Sequence, residues 1–265
     1  MTIGIIGCGK MGSALTLGAI KAGVFSDSDV VACDNKPPAI RALGENVTPG
    51  SIDEVIKAAD TLLLCVKPYQ IDDILSRVAE LPGTADDRLV ISIAAGVTIA
   101  AMQESCQGKA RIVRCMPNTP SLVGEGASAF ATGSSATEAD SEFTEKLLSS
   151  VGLAYEVPEK LIDSVTGISG SGPAYVYTFI ESLADGGVLE GVPRDKALAL
   201  ATQTVLGAAR MIAESGDHPA LLRDRVTSPG GTTITALAAL EEGSFRSTTI
   251  KAVQAAAAKA RELGS

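Results

Sequence analysis

Residues 3–12 read IGIIGCGKMG. Ile3, Gly4, Ile5 and Ile6 make a short run of apolar or small residues. Gly7, Gly9 and Gly12 follow in the spacing G-x-G-x-x-G, and helical patterning begins at Met11 and Ala14. Strand, glycine turn and helix in that order open a dinucleotide-binding βαβ unit. Gly7 permits the tight turn, Gly9 offers no Cβ to obstruct a pyrophosphate, and Gly12 lets the helix lie close on the strand. The helix N-terminus then presents free N–H groups and partial positive charge to the phosphates. Glycines so spaced also occur where they serve packing alone. Here a second strand, Val30 to Cys33, ends in Asp34, where a carboxylate is expected to meet the cofactor ribose, and this favours the dinucleotide reading.

The remaining sequence bounds what such a unit belongs to. A chain of 265 residues holds one large or two ordinary domains. No apolar run approaches the roughly 18 residues of a membrane span, and the N-terminus enters a strand directly, so neither a signal nor a transit peptide is expected. The net charge of −9 argues against nucleic acid and anionic membrane as partners. An anionic cofactor must then be held by local N–H groups and a few lysines. Cys8, Cys33, Cys65, Cys106 and Cys115 are scattered and include no C-x-x-C. Neither a disulfide nor a metal role is expected, and a reducing cytoplasm suits them. Tryptophan is absent and aromatic residues are 3% of the chain, so the core must be built from Ala, Val, Leu and Ile.

From residue 1 to about 157 strands and helices alternate. Strands are expected at 30–34, near Asn46–Val47, at 61–66, 89–93, 111–115, 127–131 and 154–157. Helices are expected over Pro38–Leu43, Ile52–Ala59, Ile71–Ala79 and Glu138–Ser149. The nearly continuous apolar strands predict a mostly parallel sheet covered on both faces, with the ligand beyond the carboxyl ends of its strands. After about residue 160 the strand signals stop. Ser171-Gly172-Pro173 begins a helix in which Tyr175, Phe179 and Leu183 share a stripe up to Gly186-Gly187. A helix over 194–214 is small or apolar on almost every face, the pattern of one buried all round, and in so small a domain a partner subunit is the simplest burial. Further helices are expected over 234–242 and 246–263. The expected fold class is therefore α/β, with an N-terminal Rossmann-type doubly wound sheet over residues 1–160. An all-α dimerisation and substrate domain over 161–265 follows it.

Two stretches outside the glycine turn carry chemistry. Ser228-Pro229-Gly230-Gly231-Thr232-Thr233 stands just before a helix. Paired glycines with hydroxyls beside them make a cup of N–H and O–H donors suited to a carboxylate, more than an ordinary helix cap requires. Ser169-Gly170-Ser171-Gly172-Pro173 is a similar glycine–serine entry to a helix. The single histidine, His218, lies in Asp217-His218-Pro219 at a helix start, where a surface or capping role fits best. Without a histidine base, the chemistry should need little acid–base help. Reduction of a protonated imine is such a reaction, because the carbon is already electrophilic and positioning with one proton source suffices.

With these motifs the chain resembles the pyrroline-5-carboxylate reductase family along its whole length. The matching stretches are the glycine loop, VKP at 66–68, AAG at 94–96, MPNTP at 116–120 and GISGSGPAYVY at 167–177. SPGGTT at 228–233 and GSFRS at 243–247 complete them. The resemblance implies transfer of a hydride from NADPH or NADH to the imine carbon of 1-pyrroline-5-carboxylate, giving L-proline, the last step of proline biosynthesis. It implies that Ser228, Gly231, Thr232 and Thr233 hold the substrate, with Thr233 the catalytic candidate, and that Glu159 lies on the substrate side. The candidate cofactor contacts are Ile6, Gly7, Cys8, Gly9, Lys10 and Met11 in the glycine turn and Asp34, Asn35 and Lys36 after the second strand. Cys65, Val66, Lys67 and Pro68, and then Ile93, Ala94 and Ala95, complete them. The family's interlocked dimers, often assembled further, imply a homo-oligomer.

Two positions depart from the family pattern. Asp34 favours the free ribose hydroxyl of NADH whereas Lys36 attracts a 2′-phosphate, so the cofactor preference stays open. Arg225 stands where many members have asparagine, and is either a ligand contact or a solvated helix-end charge. Alternative functions are a reductase of another small cyclic imine acid and a non-catalytic nucleotide-binding protein.

Overall fold

A computed structural model describes residues 1–81 and 88–264. Its contacts divide the chain into two compact units. One comprises Met1–Ser171 with the chain from Gln254 onward, and the other comprises Gly172–Val253.

The first unit is an eight-stranded sheet: β1 (Ile3–Ile6), β2 (Val30–Cys33), β3 (Thr48–Pro49), β4 (Thr61–Leu64), β5 (Arg88–Ser92), β6 (Ala110–Met116), β7 (Gly126–Thr132) and β8 (Gly152–Glu156). The spatial order is β3-β2-β1-β4-β5-β6-β7-β8. All neighbours run parallel except β6 and β7. The 117–125 connection between those two is shorter than the roughly dozen residues a parallel crossover needs, so the chain returns antiparallel. Between β1 and β4 the strand order reverses, which opens a crevice at the carboxyl ends of both.

Helices cover both faces, as the apolar strands require: α1 (Lys10–Lys21), α2 (Pro37–Arg41), α3 (Ile52–Ala58), α4 (Ile71–Glu80), α5 (Ile99–Ser105), α6 (Glu138–Ser149) and α7 (Ile162–Val165). Ile3, Ile5, Leu63 and Ile91 point to one face and are buried with Leu15 of α1, Ile40 of α2 and Leu147 and Leu148 of α6. Ile6, Leu62, Leu64 and Val90 point to the other and are buried with Val55 and Ile56 of α3, Ile74, Leu75 and Val78 of α4 and Ile99 and Met102 of α5. The central strands β1, β4 and β5 are thus buried at every position because both their faces are interior.

Three local expectations are corrected. The third strand is Thr48–Pro49 rather than Asn46–Val47. Asn46 is tied through its backbone and side-chain N–H groups to Asp27, and Val47 is buried in the core. A proline is tolerated in β3 because it is the edge of the sheet. Helix α5 was not anticipated, and Thr98 caps it by accepting from the Ala101 N–H at 3.2 Å. One π-helical turn, Thr166–Gly170, occupies the glycine–serine stretch ahead of the next helix.

The second unit is helical: α8 (Gly172–Leu189), α9 (Arg194–Ser215), α10 (Pro219–Arg225), α11 (Thr232–Glu242) and the start of α12 (Phe245–Leu263). Gly186-Gly187 lies within α8 and does not end it. A Cβ on Gly187 would stand 3.4 Å from Ala197, so the glycine serves the α8–α9 approach, and Gly191 at φ +90° ends the helix. Phe179 and Phe245 stack at a tilt, with ring centroids 5.8 Å apart. His218 caps α10, its Nδ1 accepting from the Ala220 N–H at 3.2 Å. Helix α9, expected to be buried all round, is not so within one chain. Only Ala197 and Ala201 are buried, while Leu200 is 63% and Met211 57% exposed. In α12 the last turn returns to the first unit, where a Cβ on Gly96 (φ +79°) would lie 3.1 Å from the Leu263 carbonyl oxygen.

The glycine turn behaves as its spacing predicts. Gly7 has φ +98°, and a Cβ there would stand 2.6 Å from the Cys65 carbonyl oxygen. One on Gly12 would collide with the Gly7 carbonyl oxygen, whereas one on Gly9 would meet nothing within 4 Å. Gly12→Ala is therefore predicted to lower the thermal midpoint by several degrees, on the order of the 1–3 kcal/mol cost of overpacking. Gly9→Ala should leave that midpoint unchanged and weaken dinucleotide binding at least about tenfold. Thermal scans and cofactor titrations on the two variants check the contrast.

Candidate functional site

The strand ends converge on one open cleft of about 840 Å³ in the first unit. Ile6, Gly7, Gly9, Lys10 and Met11 line it from the β1–α1 turn, Asp34 and Asn35 from the end of β2, and Cys65, Val66, Lys67 and Pro68 from the end of β4. Ile93, Ala94 and Ala95 follow from the end of β5. No side chain caps α1, whose N-cap is Gly9 and whose first turn holds no acidic residue. Its first N–H groups and its positive dipole end stay available to an anion. The space left by the absent Gly9 Cβ and the uncapped helix together fit the pyrophosphate of a dinucleotide.

Two of the candidate contacts do not line the cleft. Cys8 is only 2% exposed, and what it contributes is its backbone N–H, which donates to Asp34 Oδ2 at 2.7 Å. Lys36 is exposed, and its N–H donates to Asp34 Oδ1 at 2.8 Å. The carboxylate of Asp34 thereby ties the β1–α1 turn to the end of β2.

The cleft also gains Cys33, Ile52, Gln70, Met116 and Pro117. Gln70 Oε1 accepts from the Lys67 N–H at 3.2 Å and so shapes the turn after β4. Met116 and Pro117 follow from the parallel order, since the end of β6 lies beside that of β5; the stretch 116–120 signalled them without assigning a role. Ile52 and Gln70 have no comparable sequence signal.

Burial pushes the Cys8 thiol up from 9.0 to about 12, with the negative Asp34 beside it adding to the shift. Burial and Asp34 likewise raise Cys33, and burial raises Cys65 and Cys115. All four are uncharged near neutrality, which makes them poor nucleophiles, and for Cys33 and Cys65, which line the cleft, suits a wall facing an anionic ligand. Among the described residues no group of three or more His, Cys, Asp or Glu is placed to hold a metal ion.

Glu159 does not line the cleft. Its Oε1 accepts from the Ile99 N–H at 2.7 Å, at the start of α5, and pairs with Arg114 Nη1 at 3.3 Å. Arg114, 3% exposed, also pairs with Asp163 at 2.6 Å. The buried guanidinium thus joins the end of β6 to α5 and α7. Asn118 adds a second tie, its Nδ2 donating to the Ser169 carbonyl at 3.0 Å and its Oδ1 accepting from the Ala127 N–H at 2.9 Å.

In the helical unit, Ser228, Gly231, Thr232 and Thr233 lie together at the start of α11. Gly230 has φ +66°, and a Cβ on Gly231 would collide with the Ser228 hydroxyl. Gly231 is the N-cap of α11 and offers no side-chain cap bond, so the helix N-terminus opens among three hydroxyls. Arg225 forms an exposed ion pair with Asp217 at 2.5 Å, which favours the solvated-charge reading of that residue.

The raised thiols predict a pH dependence. A raised pKa in the folded state stabilises fully below the ordinary value of 9.0 and is lost as pH climbs toward about 12. Stability should hold to about pH 9 and then fall, and Cys8→Ala should flatten part of the fall. Guanidinium unfolding curves across that range check it.

Comparison with known proteins identifies the family of both regions of the chain. Residues 159–263 match the family model for pyrroline-5-carboxylate reductase dimerisation, and residues 2–96 match a coenzyme F420-dependent NADP oxidoreductase model. The pyrroline-5-carboxylate reductase of Glycine max is 45% identical over 99% of this chain and 96% of its own length. The solved reductase of Coxiella burnetii has a TM-score of 0.92 at 34% identity, covering 100% of this chain and 98% of its own. That of Plasmodium falciparum, solved with NADP bound, has a TM-score of 0.87 at 34% identity and the same coverage. With the fold and both motif-bearing regions matched over its full length, the chain belongs to the pyrroline-5-carboxylate reductase family.

Proposed function

We infer that this chain reduces 1-pyrroline-5-carboxylate to L-proline with NADH or NADPH, the cofactor lying in the 840 Å³ cleft. The observation that carries this reading is the uncapped α1 behind the Gly7–Gly12 turn of the first unit; the helical unit adds the hydroxyl-rich start of α11. The cofactor, when bound, would supply a hydride to the imine carbon, and the nitrogen gains a proton, so one hydride and one proton (two electrons and two protons in all) convert the C=N bond to an amine.

The residues of the chain do the positioning. In the cleft, the N–H groups of the first turn of α1, with Lys10, hold the pyrophosphate. Val66, Lys67 and Pro68 with Ala94 and Ala95 form the walls that orient the rings. At α11, Ser228 and Thr232 hydrogen bond the substrate carboxylate, which the positive helix end favours. The Thr233 hydroxyl contacts the ring nitrogen, whether as hydrogen-bond partner or proton donor. Holding the imine carbon against the reduced ring replaces a bimolecular encounter by a fixed geometry, and a protonated imine needs little further activation. The position of Glu159 beside Arg114 and α5 supports a role in holding secondary structures together rather than in touching substrate.

The division of labour falls near residue 160. The last strand ends at Glu156 and every later element is helical. The helical part is the self-association module: its family model describes dimerisation, and α9 presents Leu198, Leu200, Leu206 and Met211 exposed in a single chain. A homodimer through these helices, itself able to assemble further, covers that face. No helix among the described residues is long and apolar enough to cross a membrane, and five free thiols favour a cytoplasmic location.

Side-by-side initial rates of NADH and NADPH oxidation with 1-pyrroline-5-carboxylate test the reaction. Turnover with at least one is expected, and none in protein shown to bind cofactor would overturn it in favour of a larger cyclic imine. Thr233→Ala should lower kcat/KM by about 10²–10³, the cost of one lost transition-state donor, while cofactor affinity stays within about twofold. For the interface, Leu206→Asp places a charge on the apolar face of α9 and is expected to shift sedimentation from oligomer toward monomer.

A further inference from the structure

The family reading leaves open which of the two cofactors is preferred, and the end of β2 bears on it. We propose that Asp34 makes this chain selective for NADH by excluding the 2′-phosphate of NADPH. The proposal rests on the reductase reading only for the class of cofactor.

Asp34 is half-buried on the cleft wall, directly after β2, where the adenosine ribose of a dinucleotide meets the sheet. Both carboxylate oxygens are anchored. Oδ2 accepts from the Cys8 N–H at 2.7 Å and Oδ1 from the Lys36 N–H at 2.8 Å. The anion is therefore held in place and does not swing away from an approaching phosphate. Each oxygen keeps a further lone pair, so the pair can accept both hydroxyls of an unmodified ribose. A 2′-phosphate has no such donors at neutral pH and carries −1.5 to −2 charges. It would meet like charge at hydrogen-bonding distance.

The surrounding backbone does not compensate. The Lys36 N–H is already used by Asp34. Pro37 and Pro38, which open α2, have no N–H at all. The Lys36 side chain is exposed and outside the cleft lining. Arg41, on the same short helix, lines a separate depression with Pro37, Ile40 and Val47. The cations that do line the cleft are Lys10, at the start of α1, and Lys67, at the end of β4. Asp34 is the acidic residue among the described lining residues. Positive charge therefore lies along the pyrophosphate path and negative charge at the ribose.

The test is equilibrium binding, read apart from turnover. Dissociation constants for NADH and NADPH come from the fluorescence of the reduced nicotinamide. Those for 5′-AMP and adenosine 2′,5′-bisphosphate come from competition. NADH is expected to bind at least about tenfold tighter than NADPH, and 5′-AMP tighter than the bisphosphate by a similar factor. Asp34→Asn, which keeps an oxygen for one of the two N–H groups, should narrow the NADH-to-NADPH ratio at least about tenfold. Equal affinities, or tighter NADPH, in the unmodified chain would overturn the proposal and leave the reductase reading standing. An Asp34→Asn variant that weakens both cofactors with an unchanged ratio would also overturn it, since the carboxylate would then serve the turn alone. Failure of folded protein to bind either nicotinamide would remove the cofactor reading and this proposal together.

Discussion

The first unit depends on how closely α1 approaches β1 and β4. Gly12 rides directly over the Gly7 carbonyl and beside Cys65, and a single methyl at that point would force the helix away. The consequences spread from there. With α1 seated, its N-terminus opens at Gly9, the Cys8 N–H reaches Asp34, and the ends of β1, β2 and β4 share one wall. The cleft is thus less a cavity left between side chains than a product of backbone contact. That is why Gly7, Gly9, Ala94 and Ala95 stand at its rim and why few charged residues line it.

Those charges act against the sign of the whole. A net charge of −9 sets an unfavourable background for an anionic ligand, yet screening confines that background to about 10 Å at ordinary ionic strength. Inside the cleft the local inventory decides: N–H groups of α1, two lysines, uncharged thiols and one anchored carboxylate. The buried Arg114 illustrates a different use of charge. With Glu159 and Asp163 it is satisfied internally and holds secondary structures together. Removing Arg114 would leave the two carboxylates beside each other without their cation.

The sequence makes legible whatever is written in local patterning. The glycine turn, the strand cores, the SPGGTT stretch and the capping role of His218 all follow from spacing, periodicity and the chemistry of single residues. What escapes is set by tertiary geometry. Gly186-Gly187 reads as a helix end, but its lack of side chains serves the approach of α9. Helix α5 is short and borrows a cap from Thr98 and a carboxylate from Glu159, distant in sequence. Ile52 and Gln70 reach the cleft only because β4 and its neighbours place them there. Helix α9 is instructive in the opposite direction: its apolar faces read as buried, yet in the single chain most of them lie open, within the part that matches the dimerisation model.

Gly96 ties these threads to the order in which the protein is made. The Ala94-Ala95-Gly96 rim is synthesised early, yet the last turn of α12 packs on it, with Leu263 against Gly96. The first unit is therefore discontinuous in the chain: the contact of Leu263 with Gly96 closes it across the whole of residues 172–253, and it can form only after that intervening segment has been made.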